Sequence, residues 1–234
     1  MRIKLIALLT ASAALFAGAV AAHAAPISVA VYSFSTQDDV NAFQKVSGGT
    51  CKRKWQGNQL LRIGVGQSTN NCVYRSSVLS DSSNSHPDLG MIASTSVSGG
   101  TPKLQKKSYS GVGVRQSDDA SYSLRVLPNT HKWQYFRDPE GPAGPKLEAS
   151  GSGKFIKVGG KTNVMRIQAF AYGGPTTNIL GTVNGRTVVS TTDSGADQPN
   201  GRRTVLMVGV KGAGAGTGVT GFFDDVAVQV PNPF

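Results

Sequence analysis

Apolar residues alternate with small or polar ones in short runs along most of this chain, the period of a strand with one buried face. In Tyr122-Ser123-Leu124-Arg125-Val126 the Tyr, Leu and Val share one side. Gly111-Val112-Gly113-Val114-Arg115 alternates in the same way. Over 164–171, Met165, Ile167, Ala169 and Ala171 line one face, and Val164, Arg166, Gln168 and Phe170 the other. Residues 205–210 are apolar nearly throughout, which predicts a strand covered on both faces. Over 222–230 the alternation turns Val226, Val228 and Val230 inward and puts Asp224 on the same parity.

Gly, Ser, Asn and Pro punctuate these runs. Asn184-Gly185, between strand-like runs at 179–183 and 186–190, predicts a type I′ hairpin turn, because both central residues need positive φ. One short helix is predicted around 37–44, after Asp38-Asp39. Residues 138–153 read as an internal loop rich in Pro, Gly and Ser, and 212–221 as a glycine-rich loop before the last strand. About a dozen strands without a separating linker predict one all-β domain, a two-sheet antiparallel β-sandwich.

The N-terminus departs from this pattern. Arg2 and Lys4 precede an uncharged stretch over 5–22, which closes on Ala22-His23-Ala24, a small-x-small site. This predicts a secretory signal peptide over 1–24, cut after Ala24, and a domain over 25–234. An uncleaved anchor is the other reading, and the basic start, the Ala-rich end and the cleavage site all speak against it. No later stretch is apolar enough to span a bilayer, and the first Cys is too far from the cut for a lipoprotein anchor. The expected location is outside the cytoplasm, extracellular or periplasmic.

Export changes the meaning of the two cysteines. In an oxidising compartment Cys51 and Cys72 are most simply a disulfide. A reactive thiol or metal site would need partners that the sequence does not supply. Without residues 1–24, the remaining 210 residues carry 22 Lys and Arg against 13 Asp and Glu, a net charge of +9. That charge favours anionic partners such as an acidic polysaccharide, a wall polymer or a membrane surface; plain solubility accounts for it equally well. The cations are scattered apart from Lys52-Arg53-Lys54 and Lys103 with Lys106-Lys107, both placed in loops. No nucleic-acid-binding motif accompanies them.

The order of the pieces resembles the concanavalin A-like lectin/glucanase jelly roll, and in particular the laminin-G-like domains of secreted bacterial proteins. The resemblance rests on the 111–115 and 122–126 strands, Trp133-Gln134-Tyr135-Phe136-Arg137, Asn163-Val164-Met165-Arg166-Ile167, Val183-Asn184-Gly185 and Phe222-Phe223-Asp224-Asp225-Val226. It covers 110–230 and continues loosely through Cys72-Val73-Tyr74-Arg75-Ser76-Ser77-Val78. It implies a fold far better than an activity, since this fold hosts lectins, hydrolases and silent modules.

A search for chemistry narrows the choice. Laminarinase-type hydrolases of this fold carry a Glu-x-Asp-x-x-Glu strand. Here the only glutamates are Glu140 and Glu148, both in the Pro/Gly-rich segment. The pairs Asp38-Asp39, Asp118-Asp119 and Asp224-Asp225 sit on adjacent residues, which point to opposite faces of a strand, and Asp88 and Asp193 stand alone. No catalytic residue is assigned. His86 and His131 have no ligand partner at metal spacing. Asp224 and Asp225 are the candidates for a structural calcium ion; the alternative is a carboxylate capping the amides of a neighbouring loop. Trp55, Tyr74, Trp133 and Tyr135 are the candidate sugar-stacking residues, with a core role as the alternative for Trp133 and Tyr135. The expected function is a secreted, non-catalytic lectin-like module binding carbohydrate or an anionic polymer, without a cofactor. The alternatives are a glycoside hydrolase or lyase with a non-standard acidic site, and a structural or adhesive surface protein.

Overall fold

A computed structural model describes residues 25–47, 49–57, 60–66, 70–76, 88–118, 120–211 and 218–232. The predicted signal segment, His86 and Asp119 lie outside them. Fifteen strands form two antiparallel sheets among the described residues. The first sheet runs in the order β13 (Arg186–Asp193), β12 (Thr177–Val183), β11 (Asn163–Phe170), β6 (Leu89–Gly99), β15 (Val219–Val230), β4 (Leu61–Gly64), β3 (Lys52–Trp55). In that sheet β1 (Ile27–Tyr32) pairs with the far half of β15. The second runs β10 (Lys146–Ser152), β9 (Lys132–Asp138), β8 (Ser121–Leu127), β7 (Ser108–Gln116), β14 (Arg203–Val210), β5 (Asn71–Ser76), β2 (Phe43–Ser47). This is the predicted two-sheet antiparallel sandwich.

The alternation builds the core between the sheets. Val112, Val114, Tyr122, Leu124 and Val126 of the second sheet meet Met91, Ala93, Met165, Ile167 and Ile179 of the first, all in one buried cluster. Burying such side chains stabilises by about 1.5–3 kcal/mol each. A polar pair within it is satisfied: Thr95 on β6 and Ser110 on β7 share a buried hydrogen bond of 2.9 Å across the sheets. β14 is covered on both faces, as its unbroken apolar run predicts. Leu206, Val208 and Val210 enter the main core, and Val205 and Met207 join Tyr109 and Leu127 on the other side.

The Asn184-Gly185 hairpin forms with φ values of 50° and 78°, both in the left-handed region. Asn184 adds more than a turn. Its Oδ1 accepts from the Val164 amide at 2.9 Å, and its Nδ2 donates to the Phe155 carbonyl at 2.7 Å and to Asn163 Oδ1 at 2.8 Å. Asn184→Ala keeps the fold but loses these bonds and a residue suited to positive φ. The expected cost is about 2 kcal/mol, read as a lower urea midpoint with unchanged slope.

Several expectations are corrected. The predicted helix is shorter, α1 (Gln37–Asn41), because Phe43 already pairs in β2 opposite Ser76. The segment read as a loop over 138–153 contains β10, whose ladder bonds β9 alone and whose Gly and Ser suit an edge. The Lys52-Arg53-Lys54 run is also strand, the edge strand β3, and Lys103 lies on a short helix, α2 (Pro102–Gln105), capped by Thr101. β15 already begins at Val219, inside the span read as a glycine loop. Asp224 is not on the parity of Val226. A bulge between Asp224 and Ala227, with Asp225 at φ 48°, flips the alternation, so Phe223 and Val226 both face the core and Asp224 faces out.

Candidate functional site

β10 and β13 are the free edges of their sheets, and both lie on the same side of the sandwich. The parity of the two neighbouring strands builds a cleft there. On β9, Trp133, Tyr135 and Arg137 share the inward face, paired with Val126, Leu124 and Tyr122 of β8. On β13, Val189, Thr191 and Asp193 are inward, paired with Gly181, Ile179 and Thr177 of β12. β10 puts Lys146, Ala149 and Gly151 against β9's inward row, and the two small residues leave the edge open beside Tyr135 and Trp133. Gly151 is required: a Cβ there would lie 2.8 Å from the Trp133 indole, which rests against it.

Two hollows follow this edge. One, of about 290 Å³, is lined by Trp133, Phe155 and the start of β13 at Arg186, Thr187 and Val188. The Arg186 guanidinium stands 5.6 Å from the Phe155 ring centroid, a cation–π contact that fixes the rim. The other, of about 300 Å³, is lined by Tyr135, Arg137, Lys146, Glu148 and the end of β13 at Thr191, Thr192 and Asp193. They lie at the two ends of the eight-residue strand β13, with buried Val189 between them.

A charge network fixes the polar end. Arg137 Nε donates to Asp193 Oδ2 at 2.5 Å, and its Nη2 to Asp197 Oδ1 at 2.5 Å. The Tyr122 hydroxyl donates to Asp193 Oδ2 at 2.7 Å, and the Gly195 amide to Oδ1 at 2.9 Å. Burial by itself would raise the Asp193 carboxyl. The bonds from Arg137, the Gly195 amide and Tyr122 outweigh burial and hold it below the ordinary carboxylate value. The Asp197 carboxyl is lowered by its bond from Arg137. Burial first, then Asp193, pushes the Tyr122 phenol far above its ordinary value, and burial likewise raises Tyr135.

Beneath the network Arg115 is fully buried. A bulge in β7, with Arg115 at φ 53°, turns it inward beside Val114. Its Nη1 donates to Thr177 Oγ1 at 2.7 Å, and its Nη2 lies 3.8 Å from Asp88 Oδ1. Asp88 in turn accepts from the Ala171 and Tyr172 amides. Arg115 thus bolts one sheet to the other under the cleft.

The residues singled out from sequence divide. Trp133 reaches the cleft, whereas Tyr135, 2% exposed, forms its floor. Tyr74 is 2% exposed in the main core and meets neither hollow. Trp55 is 38% exposed on the far edge, its Nε1 donating to the Phe34 carbonyl at 2.8 Å. Asp224 Oδ1 accepts from the Asp225 amide at 2.8 Å, a bulge cap, and no third acidic or histidine side chain joins the pair among the described residues. Calcium takes about six to eight oxygens. Cys51 and Cys72 are bonded, with Cα atoms 5.8 Å apart. Asp193, set aside as a lone carboxylate, is the centre of the network; its partners lie 56 and 71 residues away. The outer face of the second sheet is filled by Tyr109, Leu127, Val205 and Met207, with Arg125 stacked 4.2 Å from the Phe136 centroid.

No protein-family model matches the chain, and no curated protein matches it in sequence. Solved structures match in fold. The chain resembles the carbohydrate binding module CBM66 from Bacillus subtilis at 14% identity and TM-score 0.54, over 80% of this chain and 95% of that one. It resembles an endo-1,3-beta-glucanase from Streptomyces sioyaensis at 13% identity and TM-score 0.63, over 89% and 97%. A Bacillus subtilis protein of unknown function with a galectin-like fold matches at 10% identity and TM-score 0.60, over 90% and 99%. These likenesses show the fold, a two-sheet antiparallel jelly-roll sandwich.

Proposed function

We propose that this chain, a concanavalin A-like jelly roll, is an exported, non-catalytic carbohydrate-binding module whose ligand lies in the edge cleft between β9 and β13. One observation carries the reading: the same edge presents an aromatic plate, Trp133, in one hollow and fixed polar groups, Arg137, Thr191 and Asp193, in the next. A sugar ring offers an apolar face and a rim of hydroxyls. An indole covers the first, and preorganised donors and acceptors match the second. Two hollows on one edge suit an oligosaccharide rather than one sugar. The named function of the module from Bacillus subtilis agrees with this class of ligand. The basic, uncharged-then-small N-terminus and the disulfide support export.

The chemistry of the cleft favours binding over cleavage. Glycoside hydrolysis generally needs one carboxyl that keeps its proton near neutral pH. Asp193 is held ionised by Arg137, and Glu148 stands 3.1 Å from the Lys146 ammonium. A lyase base needs a phenol that loses its proton easily, and the Tyr122 and Tyr135 phenols are shifted the other way.

Affinity electrophoresis through a panel of soluble polysaccharides tests the proposal. Retardation by at least one of them is expected, with no reducing ends released. Trp133→Ala should weaken that binding by about tenfold or more. Retardation indifferent to Trp133→Ala, or reducing ends whose release stops in Asp193→Asn, overturns it.

A further inference from the structure

Three basic side chains stand together on the outer face of the first sheet, away from the edge cleft. β3 pairs with β4 so that Lys52 faces Gly64 and Lys54 faces Arg62. These positions share one parity, and Lys52, Lys54 and Arg62 are all exposed. With Thr50, Gly64 and Gly66 they line a groove of about 540 Å³. Lys52 and Lys54 lie about 6.6 Å apart along the strand, and Lys54 and Arg62 oppose each other at about 5 Å. Like charges placed directly opposite weaken a ladder. None of the three makes an ion pair among the described residues.

The surroundings do not neutralise them. No carboxylate lines the groove among the described residues. On the elements packed nearby, Asp39 of α1 accepts from the Ser35 amide, Asp38 sits in the first turn of α1, and Asp224 of β15 caps its own bulge. The groove is also preorganised. The Cys51–Cys72 bond anchors the residue before Lys52 to β5 of the other sheet. Gly66 is pressed against Thr50, where a Cβ would lie 2.2 Å from the hydroxyl oxygen.

We infer that this groove binds a linear acidic polysaccharide, whose carboxylates or sulfates meet Lys52, Lys54 and Arg62. This site is separate from the edge cleft and does not rest on it. The groove is concave and carries no aromatic, which fits a chain of charged sugars better than stacked bases. Trp55, next to Lys54, points to the opposite face of β3 and is tied to Phe34. The exposed apolar row Ile27, Val29 and Val31 belongs to β1, which pairs with 226–230 of β15, whereas β4 pairs with 220–223. The cations and the apolar row are thus carried by different strands that follow one another along β15, and the vesicle arm of the test below reads whether they act together on an anionic bilayer.

The test is titration with polygalacturonate of the wild type and of the triple variant Lys52→Gln, Lys54→Gln, Arg62→Gln. The variant should bind about tenfold more weakly or worse. Wild-type affinity should fall as salt rises from about 0.05 to 0.5 M, since exposed charges are screened. The urea midpoint of the variant should be unchanged or higher. Its retardation by any polysaccharide held in the edge cleft should be unchanged, which separates failure of this site from failure of the cleft. Equal binding of polygalacturonate by both proteins overturns the inference. So does wild-type binding to phosphatidylglycerol vesicles or duplex DNA without binding to polygalacturonate.

Discussion

Asp193→Ala should destabilise the protein by about 3 kcal/mol, more than any other single substitution along the cleft. The carboxylate accepts from Arg137, Tyr122 and the Gly195 amide within a site that is mostly out of water. Its removal leaves the Tyr122 hydroxyl buried beside Arg115 without its acceptor and takes one of two carboxylates from Arg137. Asp193→Asn should cost less, because an amide oxygen still accepts from Tyr122. Tyr122→Phe should cost only about 1 kcal/mol, because Asp193 keeps its bonds from Arg137 and the Gly195 amide. Urea unfolding at neutral pH ranks the three. A midpoint unmoved in Asp193→Ala would show that the network is not a structural clamp.

The same carboxylate sets an acid dependence. Its folded pKa lies below its unfolded one, so its contribution is complete above the unfolded value of about 4. It is lost as the pH falls through the folded value. Wild-type stability should therefore fall below about pH 4, and the fall should be shallower in Asp193→Asn.

Loss of the Cys51–Cys72 bond should cost about 3 kcal/mol, the loop-closure term for a separation of 21 residues. Ala is the replacement to use, because both cysteines are buried and a hydroxyl would add an unsatisfied group. The bond joins the start of β3 in one sheet to β5 in the other, on the edge opposite the cleft. The double Ala variant should lose urea resistance and affinity for acidic polysaccharide together, while polysaccharide retained by the edge cleft stays bound. A variant as stable as the wild type would mean that the 21-residue loop is already ordered in the unfolded chain.

What the sequence made legible follows from burial. Central strands such as β8 and β11 bury one face, so their alternation is strict and reads directly as Tyr122-Leu124-Val126 and Met165-Ile167-Ala169. The hairpin was legible because Asn184-Gly185 meets a backbone demand that few pairs meet. Edge strands bury less. β10 tolerates Gly and Ser, and β3 tolerates three consecutive cations, so both resemble loops in composition. Bulges escape a parity argument altogether: those at Arg115 and Asp225 each shift the alternation by one residue, turning an arginine in and an aspartate out. The cleft was half legible. The shared parity of Trp133 and Tyr135 was correct, but which of them reaches the surface depends on Gly151, a partner on another strand. Asp193 carried no local signal, because Tyr122 and Arg137 reach it only through strand order.

The central claim is that a glycan occupies the edge cleft between β9 and β13. An NMR titration of the labelled protein, with fragments of whichever polysaccharide retards it, tests this most directly. The account predicts shifts of the Trp133 indole N–H, the Arg137 side chain and the amides of β13, saturating together. Shifts confined to the outer face of the second sheet, around Tyr109 and Arg125, or no shifts with any retarding polysaccharide, would contradict it.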